Sequence, residues 1–461
     1  MAKVVILVDN KRRDLMVAAH LAHLLERKGI EVFLEPLEAT FAVLAAHKPD
    51  MIIFNHLAAS HLASYSNRLR KLGVLVAILS NEGLIYLDDF REFVALKAHS
   101  DAHVDLYMCW NNAMAESVRS VRHTPELRVE VIGIPRFDLY FNPYKAHFTR
   151  GAKNKTTSSN ILICTNYVFA KYKDLPREEA DRLFADWARN LPSVADYTGL
   201  IDHLHENRKK LTLYISEIAK NPAYQIILRP HPNEDASYYE KEVQGLPEDI
   251  RSRIRIARNE NITDLILNCD VEISMDGCTT ALESWIAGKP TIELPMEPHP
   301  LVTHGLLQPL LVQCRNPADL PGMVAEALGK PVPSEIAAKR AAHLERWCAS
   351  PNGTAGEKAA EAIARRISEH AHGDYSERLT FKDRRKGWKL KLLTLLDKPY
   401  GWKPLAFLKK YLSPASYPAT LQIVGKTMSP SDARVALKVV HDIFQEYDEK
   451  LADGAARSDG Q

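Results

Sequence analysis

Residues 269–290, CDVEISMDGCTTALESWIAGKP, read as a strand, a tight turn, a helix and a stop. The strand is 271–274, and Met275, Asp276 and Gly277 make the turn. Thr279 and Thr280 open the helix, Gly288 ends it, and Pro290 prevents it from resuming. A strand feeding a helix through a glycine turn is the unit from which parallel sheets are assembled. The surrounding sequence repeats the pattern, with strand candidates at 161–164, 225–228, 254–256 and 291–294 and two helical stretches across 177–220. The first 140 residues alternate in the same way, with strands at 4–8, 32–34, 51–54, 74–79, 106–109 and 129–132 and helices such as 15–28 and 113–122. The fold class is therefore α/β, with two Rossmann-like, doubly wound parallel sheets.

Between them, residues 142–159 lapse into Asn, Pro, Lys, Thr, Ser and Gly, the composition of a linker. This divides the chain into a domain at 1–145, a linker at 146–159, a second domain at 160–372 and a helical extension at 373–461. At 461 residues the chain exceeds what one core usually organises, which agrees with two domains and an appendage.

The formal net charge is +2, and the excess of base sits late in the chain, so no whole-protein nucleic-acid footprint is expected. Six cysteines are scattered singly, without a C-x-x-C pair, and read as reduced thiols of a cytoplasmic protein. The apolar run 4–8 is too short and wrongly flanked for a signal peptide. No stretch approaches the roughly 18 unbroken apolar residues of a membrane span, so any membrane contact is expected to be peripheral. The segment 378–410, basic and rich in Trp and Leu, suits a helix lying on an anionic surface, such as the inner face of a membrane; it equally suits a tail packed on the domains.

In open α/β sheets ligands bind beyond the carboxyl ends of the strands, which directs attention to the residues following each strand. The helix opening at Thr279 offers unpaired N–H groups and the positive end of its dipole, a fitting seat for a phosphate without a metal ion. Ser274, Gly277, Thr279 and Thr280 are the candidate contacts there, although Thr280 and Glu283 also spell the capping box T-x-x-E. After strand 225–228, Arg229-Pro230-His231-Pro232 holds one histidine between two prolines that restrict the backbone. A rigidly presented Arg229 and His231 suit an anionic leaving group. Asn81-Glu82-Gly83 puts a carboxylate at a strand end, where Glu82 could take a proton. The loop after the first strand supplies Asp9, Asn10, Lys11 and Arg12, and 133–138 supplies Arg136 and Asp138. There is no G-x-G-x-x-G after the first strand, no G-x-x-x-x-G-K-[ST] and no G-x-S-x-G, which argues against a dinucleotide oxidoreductase, a P-loop kinase and an esterase. No D-x-D loop holds a metal.

VDNKRRDL, NEGL, GIPRFD, ILICTNYVFAKY, RPHP and DGCTTALESWIAGKP, in this order across roughly residues 1–360, resemble the bacterial surface carbohydrate biosynthesis family. That family is similar, at greater distance, to the CDP-glycerol glycerophosphotransferases and the capsular Kdo and sialic acid transferases. The resemblance implies a GT-B glycosyltransferase, two domains facing a central cleft, that moves a sugar from a CMP-, CDP- or UDP-linked donor to a glycan or polyprenyl-linked acceptor. It implies no cofactor, since the nucleotide sugar is a substrate, and no metal, since a helix terminus and basic side chains take over the role of a divalent cation. It places Arg229, His231, Ser274, Gly277, Thr279, Thr280 and Glu283 on the donor, Glu283 near the ribose. It places Asn10, Lys11, Arg12, Asn81, Arg136 and Asp138 on the acceptor side, with Glu82 or Asp9 as base. Ile134 and Asn81 depart from the family pattern, which often has Asn and an acid there. A nucleotide-sugar epimerase, a polyol-phosphate transferase and a non-catalytic scaffold of a polysaccharide assembly complex are the alternatives.

Overall fold

The structure, a computed structural model, describes residues 1–81, 97–122, 124–150, 158–190, 196–258, 260–275, 278–295, 297, 299, 307–371, 373–402 and 426–458. The chain divides into two compact units, one made of residues 1–144 and 344–461, the other of 145–343.

The first unit contains, in order, β1 (Lys3–Val8), α1 (Leu15–Arg27), β2 (Glu31–Pro36), α2 (Val43–His47), β3 (Met51–Phe54), α3 (Ser60–Leu72), β4 (Leu75–Leu79), β5 (Leu106–Cys109), α4 (Asn112–Val121) and β6 (Arg128–Val131). The six strands are all parallel, in the order β2-β1-β3-β4-β5-β6. Strands such as VVILV in β1 are apolar at every position because a parallel sheet is covered on both faces. The order reverses between β1 and β3, which opens a crevice at their carboxyl ends.

The second unit contains β7 (Ser159–Cys164), α5 (Tyr197–Ile218), β8 (Tyr224–Arg229), α6 (Ala236–Gln244), β9 (Ile254–Ile256), α7 (Ile262–Asn268), β10 (Val271–Met275), α8 (Thr279–Ala287), β11 (Thr291–Leu294) and α9 (Leu320–Gly329). Its sheet runs β11-β10-β7-β8-β9, again parallel, and its switch point lies between β7 and β10. One face of β10 and β11 (Val271, Ile273, Met275, Ile292, Leu294) joins the apolar core with α5 and α9. Helix α8 stops at Gly288, whose φ of 74° is the left-handed conformation glycine accepts without strain.

The second division falls inside α10 (Ser334–Cys348), so residues 344–371 belong with the first unit rather than with the second, where the sequence pattern had put them. The cause is packing. Helix α11 (Ala355–Ser368) buries Ala359, Ala360 and Ile363 and lies against α1. The extension also belongs to this unit. Helix α12 (Phe381–Leu395) packs on α2, and α13 (Pro430–Ser458) packs on α1. Arg68 grips Asp383 through two N–H···O bonds, one of 2.8 Å and one of 2.5 Å, and Thr380 and Asp383 close a capping box. No described helix is long and apolar enough to cross a membrane.

At Gly387 α12 lies directly against the backbone of α2. A methyl group there would come within 2.9 Å of the Ala45 carbonyl carbon and the Ala46 nitrogen, which are backbone atoms that cannot step aside. Alanine at a helix interior gains about 1 kcal/mol of propensity over glycine, whereas overpacking a tight contact costs about 1–3 kcal/mol. Gly387→Ala is therefore expected to lower the unfolding midpoint in urea; a raised midpoint would show that α12 is not held this closely.

Candidate functional site

Each unit gathers polar residues at the carboxyl end of its sheet. In the second, β7 ends at Cys164 and is followed by Thr165, β8 ends at Arg229 and is followed by His231, and β10 leads into α8. Adjacent strands lie about 4.8 Å apart, so the ends of β8 and β10 flank that of β7 at a separation of roughly 10 Å.

The His231 loop is held by Glu234. Its carboxylate accepts from Thr165 Oγ1 at 2.7 Å, from the Tyr167 N–H at 2.9 Å, from the His231 N–H at 3.2 Å and from the Tyr239 hydroxyl. Burial pushes the Glu234 pKa up while these four bonds pull it down. His231 Nδ1 accepts from the Asn233 N–H at 3.1 Å, which leaves the proton of the neutral ring on Nε2. Lys171 caps the same turn by donating to the Asn233 carbonyl at 3.0 Å. Sequence reasoning missed Thr165, Lys171 and Glu234; the signal was an acid three residues past a histidine fixed between prolines.

Arg229 is buried, and its guanidinium donates to the Ala257 carbonyl at 2.9 Å, tying the end of β8 to the residue after β9. That bond gives it a structural task the sequence did not suggest.

On the face of β10 and β11 opposite the apolar core lies a buried polar layer. Glu272, Ser274, Thr291 and Glu293 all point there because strand side chains alternate. Ser274 donates to Glu293 Oε2 at 3.0 Å, and Thr280 donates to Glu272 Oε1 at 2.9 Å. The N-cap of α8 is Cys278, and it makes no side-chain cap bond. The capping box of Thr280 and Glu283 is thus not formed: Thr280 lies two positions past the N-cap, inside the helix, and its hydroxyl is turned to the strand. Glu283 is only 2% exposed, and Glu272 feels its charge. The structure therefore places Ser274, Thr280 and Glu283 in the layer beneath α8, and Thr279 at the helix start. Gly277 and Asp276 lie outside the described residues.

Arg340 is the cation of this layer. It donates to the Leu310 carbonyl and to Thr291 Oγ1, both at 3.0 Å, and lies 4.5 Å over the Trp285 ring. Burial pushes its pKa down to about 10. Glu272 goes the other way: burial first, then the charges of Glu293 and Glu283, push its carboxyl up to about 8. Glu272 Oε2 makes no hydrogen bond to an N–H, O–H or carbonyl group among the described residues.

In the first unit a cavity opens at the switch point between β1 and β3. Its polar lining is Arg13, Asp14, Asn55, Ser80, Asn81 and Arg136, with Trp110 as its aromatic wall. Trp110 is fixed by a 3.0 Å bond from its indole N–H to the Ser80 carbonyl. Arg13 belongs to the loop the sequence singles out after the first strand but is given no role there, and Asn55 and Trp110 escape the sequence reading although each directly follows a strand. Of the expected acceptor-side residues, Asn81 and Arg136 line the cavity and four others do not. Asn10 is buried and accepts the Arg12 N–H. Lys11 pairs with Asp432 of α13 at 3.0 Å, and Arg12 is exposed. Asp138 is buried and accepts the first N–H groups of α11, Ala355 at 3.1 Å and Gly356 at 2.6 Å, so its charge serves a helix end. Asp9 accepts from Arg13 at 3.1 Å. Glu82 lies outside the described residues.

All six cysteines are free, and burial raises the thiols of Cys109, Cys164, Cys269, Cys278, Cys314 and Cys348, which removes them as nucleophiles near neutral pH. Among the described residues no cluster of His, Cys, Asp or Glu could hold a metal ion.

No family model and no curated protein matches the chain. Solved structures do resemble it. A Staphylococcus aureus MnaA structure with UDP is 14% identical, covering 81% of this chain and 99% of its own, with a TM-score of 0.48. The spinosyn rhamnosyltransferase SpnG with thymidine diphosphate is 12% identical over 78% of this chain and 100% of its own, at 0.41. The wall teichoic acid polymerase TagF is 12% identical over 80% of this chain and 89% of its own, at 0.45. The resemblance to the surface carbohydrate biosynthesis family rests on the motifs alone.

The buried carboxyl makes stability depend on pH. In the unfolded chain Glu272 titrates near the ordinary value of 4.5, so between there and about 8 the folded protein keeps a proton that the unfolded chain has released. Its contribution is complete below that window and is lost as pH rises through it, by up to about 1.4 kcal/mol per pH unit. Glu272→Gln, which cannot ionise, is expected to flatten the fall in urea-derived stability between about pH 5.5 and 8.5; an unchanged slope would place the titration elsewhere.

Proposed function

We propose that the protein is a glycosyltransferase that takes a sugar from a nucleotide-linked donor and passes it to a hydroxyl of a glycan or lipid-linked acceptor. The observation that carries this reading is the N-terminus of α8, which starts at the switch point of the second sheet with no side-chain cap. Its first N–H groups and dipole favour an anion, and the His231 Nε2–H, held by Glu234 and Asn233, is a second donor at the same sheet end. A separation of roughly 10 Å between these two positions suits a diphosphate and its sugar better than a single phosphate. At the switch point of the first sheet α1 likewise has no side-chain cap bond, but it begins with the acidic Asp14, and Asp9 and Asp14 both bind Arg13 there.

The donor is accordingly assigned to the second unit. Charge develops on its phosphate as the glycosidic bond breaks, and donors already oriented at that position lower the barrier. In the first unit Trp110, Arg13 and Arg136 suit an acceptor carrying both an apolar face and anionic or hydroxyl groups. The proton of the attacking hydroxyl goes to a carboxylate, Glu82 or Asp9, and Asp9 must share its oxygens with Arg13 to serve.

His231→Ala is expected to lower turnover by roughly one to three orders of magnitude at saturating donor, as loss of one oriented donor does, with an unchanged melting temperature. Thermal-shift titration of the wild type with CMP-, CDP-, UDP-, GDP- and dTDP-sugars identifies the donor, because ligand binding raises apparent stability. Stabilisation by none of them, or full activity of the variant, would contradict the assignment. Conversion of UDP-N-acetylglucosamine without any acceptor would instead identify an epimerase.

A further inference from the structure

Helix α12 is anchored on one side only. Asp383, Gly387, Leu390 and Leu393 are buried towards α2 and α3. On the opposite side Phe381 is 82% exposed, Trp388 77%, Leu392 54% and Leu395 82%. These four stand at i, i+7, i+11 and i+14, within about 60° of one another around a helix turning 100° per residue. Exposed basic side chains border this apolar ridge on both flanks: Arg384 and Lys391 on one, Arg385, Lys389 and Lys382 on the other. The single acid of the helix, Asp383, is buried and held by Arg68, so the exposed side carries positive charge alone.

We propose that this face of α12 docks the protein on an anionic lipid surface, with the ridge inserted among the acyl chains near the headgroups and the flanking Lys and Arg on lipid phosphates. The geometry suits a bilayer: long basic side chains let their stems follow apolar residues downwards while their charges stay at headgroup level. Anionic lipid then adds attraction for each cation near the surface. A second copy of the chain fits less well, because pairing two such faces sets rows of like charge against each other. The helix does not span the bilayer; it lies on it, held to the first unit by the Arg68–Asp383 pair and the Gly387 contact. The inference stands apart from the transferase reading and is tested without any sugar substrate.

Removing the chain after residue 371 is not a clean test, because it would also strip α13 from α1. The test uses the full chain and sedimentation with vesicles of phosphatidylcholine alone or mixed with phosphatidylglycerol. The wild type is expected to partition onto the mixed vesicles, less so at high salt. Trp388→Ser with Leu395→Ser is expected to weaken partitioning at least about tenfold, and Lys389→Ala or Lys391→Ala about fivefold each. All these side chains are exposed, so the variants should melt like the wild type. A blue shift of tryptophan emission on adding mixed vesicles should diminish in Trp388→Phe. Equal partitioning by the double variant, or equal binding of wild type to both vesicle types, would overturn the proposal. So would a ridge variant that converts a dimer to a monomer in size-exclusion chromatography while vesicle binding stays intact, because that would make the face an interface between copies.

Discussion

A carboxyl group that water cannot reach fixes the start of the helix on which the second unit's chemistry is proposed to depend. Glu272 sits in the middle of β10 with Thr280 bonded to it, so the first turn of α8 is pinned to the strand that precedes it. The same hydroxyl that reaches down to the strand is withheld from the helix's own cap. Among the described residues no side chain caps the start of α8, and the polar layer beneath holds that end in place. Ser274 with Glu293 and Arg340 with Thr291 extend this layer across β10 and β11. One face of this sheet edge is an ordinary apolar core and the other is a hydrogen-bonded network. Buried polar groups that are partnered rigidify a site, and those that are not are costly.

The eleven described strands were legible in the sequence, most of them because a strand buried on both faces is a short run of apolar, β-branched residues between turn signals, while β6 and β9, at the sheet edges, are less buried and mix polar residues in. The helix from Thr279 to its stop at Gly288 was legible for the same local reasons. Side-chain direction was not. Ser274 and Thr280 look like phosphate ligands when they are read as residues near a glycine turn, and the strand's alternation is what turns Ser274 inward with Glu272. The alternation of Val271, Ile273 and Met275 with Glu272 and Ser274 was visible, but nothing local reveals that Glu293 and Arg340 wait beneath. Asp138 shows the same limit: its partner, the start of α11, is more than two hundred residues away, and no pattern around Asp138 points to it.

The return of the chain to its first unit was likewise hidden from local reading. Residues beyond 343 carry helical patterns that suit either sheet, and contacts made at long range decide between them. Tyr375 donates to the Pro49 carbonyl at 3.0 Å, Arg378 to the carbonyls of Lys71 and Leu72 at 2.9 Å, and Lys11 to Asp432. The basic segment therefore divides by face. One side of α12 packs on the unit as an ordinary tail would, and the other keeps the aromatic and basic character of a surface-seeking helix, so two readings that were alternatives in the sequence coexist in one helix.

The two sheets share an architecture and differ in what they place at the switch point, which is why the donor is assigned to one and not the other. In the first unit the helix after β1 starts at an aspartate, and Arg13 bridges Asp9 and Asp14 across that start. An incoming phosphate would have to displace one carboxylate from Arg13 and approach another. In the second unit the helix after β10 starts at a cysteine with no cap, and the neighbouring strand end presents a histidine whose ring proton is set by its own turn. The carboxyl bonded to the first turn of that helix is Glu272, and burial keeps it protonated near neutral pH. Desolvation thus removes this carboxyl's own share of the repulsion that an anion at the helix start would meet. Through the bond from Thr280, Glu272 can hold the helix start without setting its own charge against the field there.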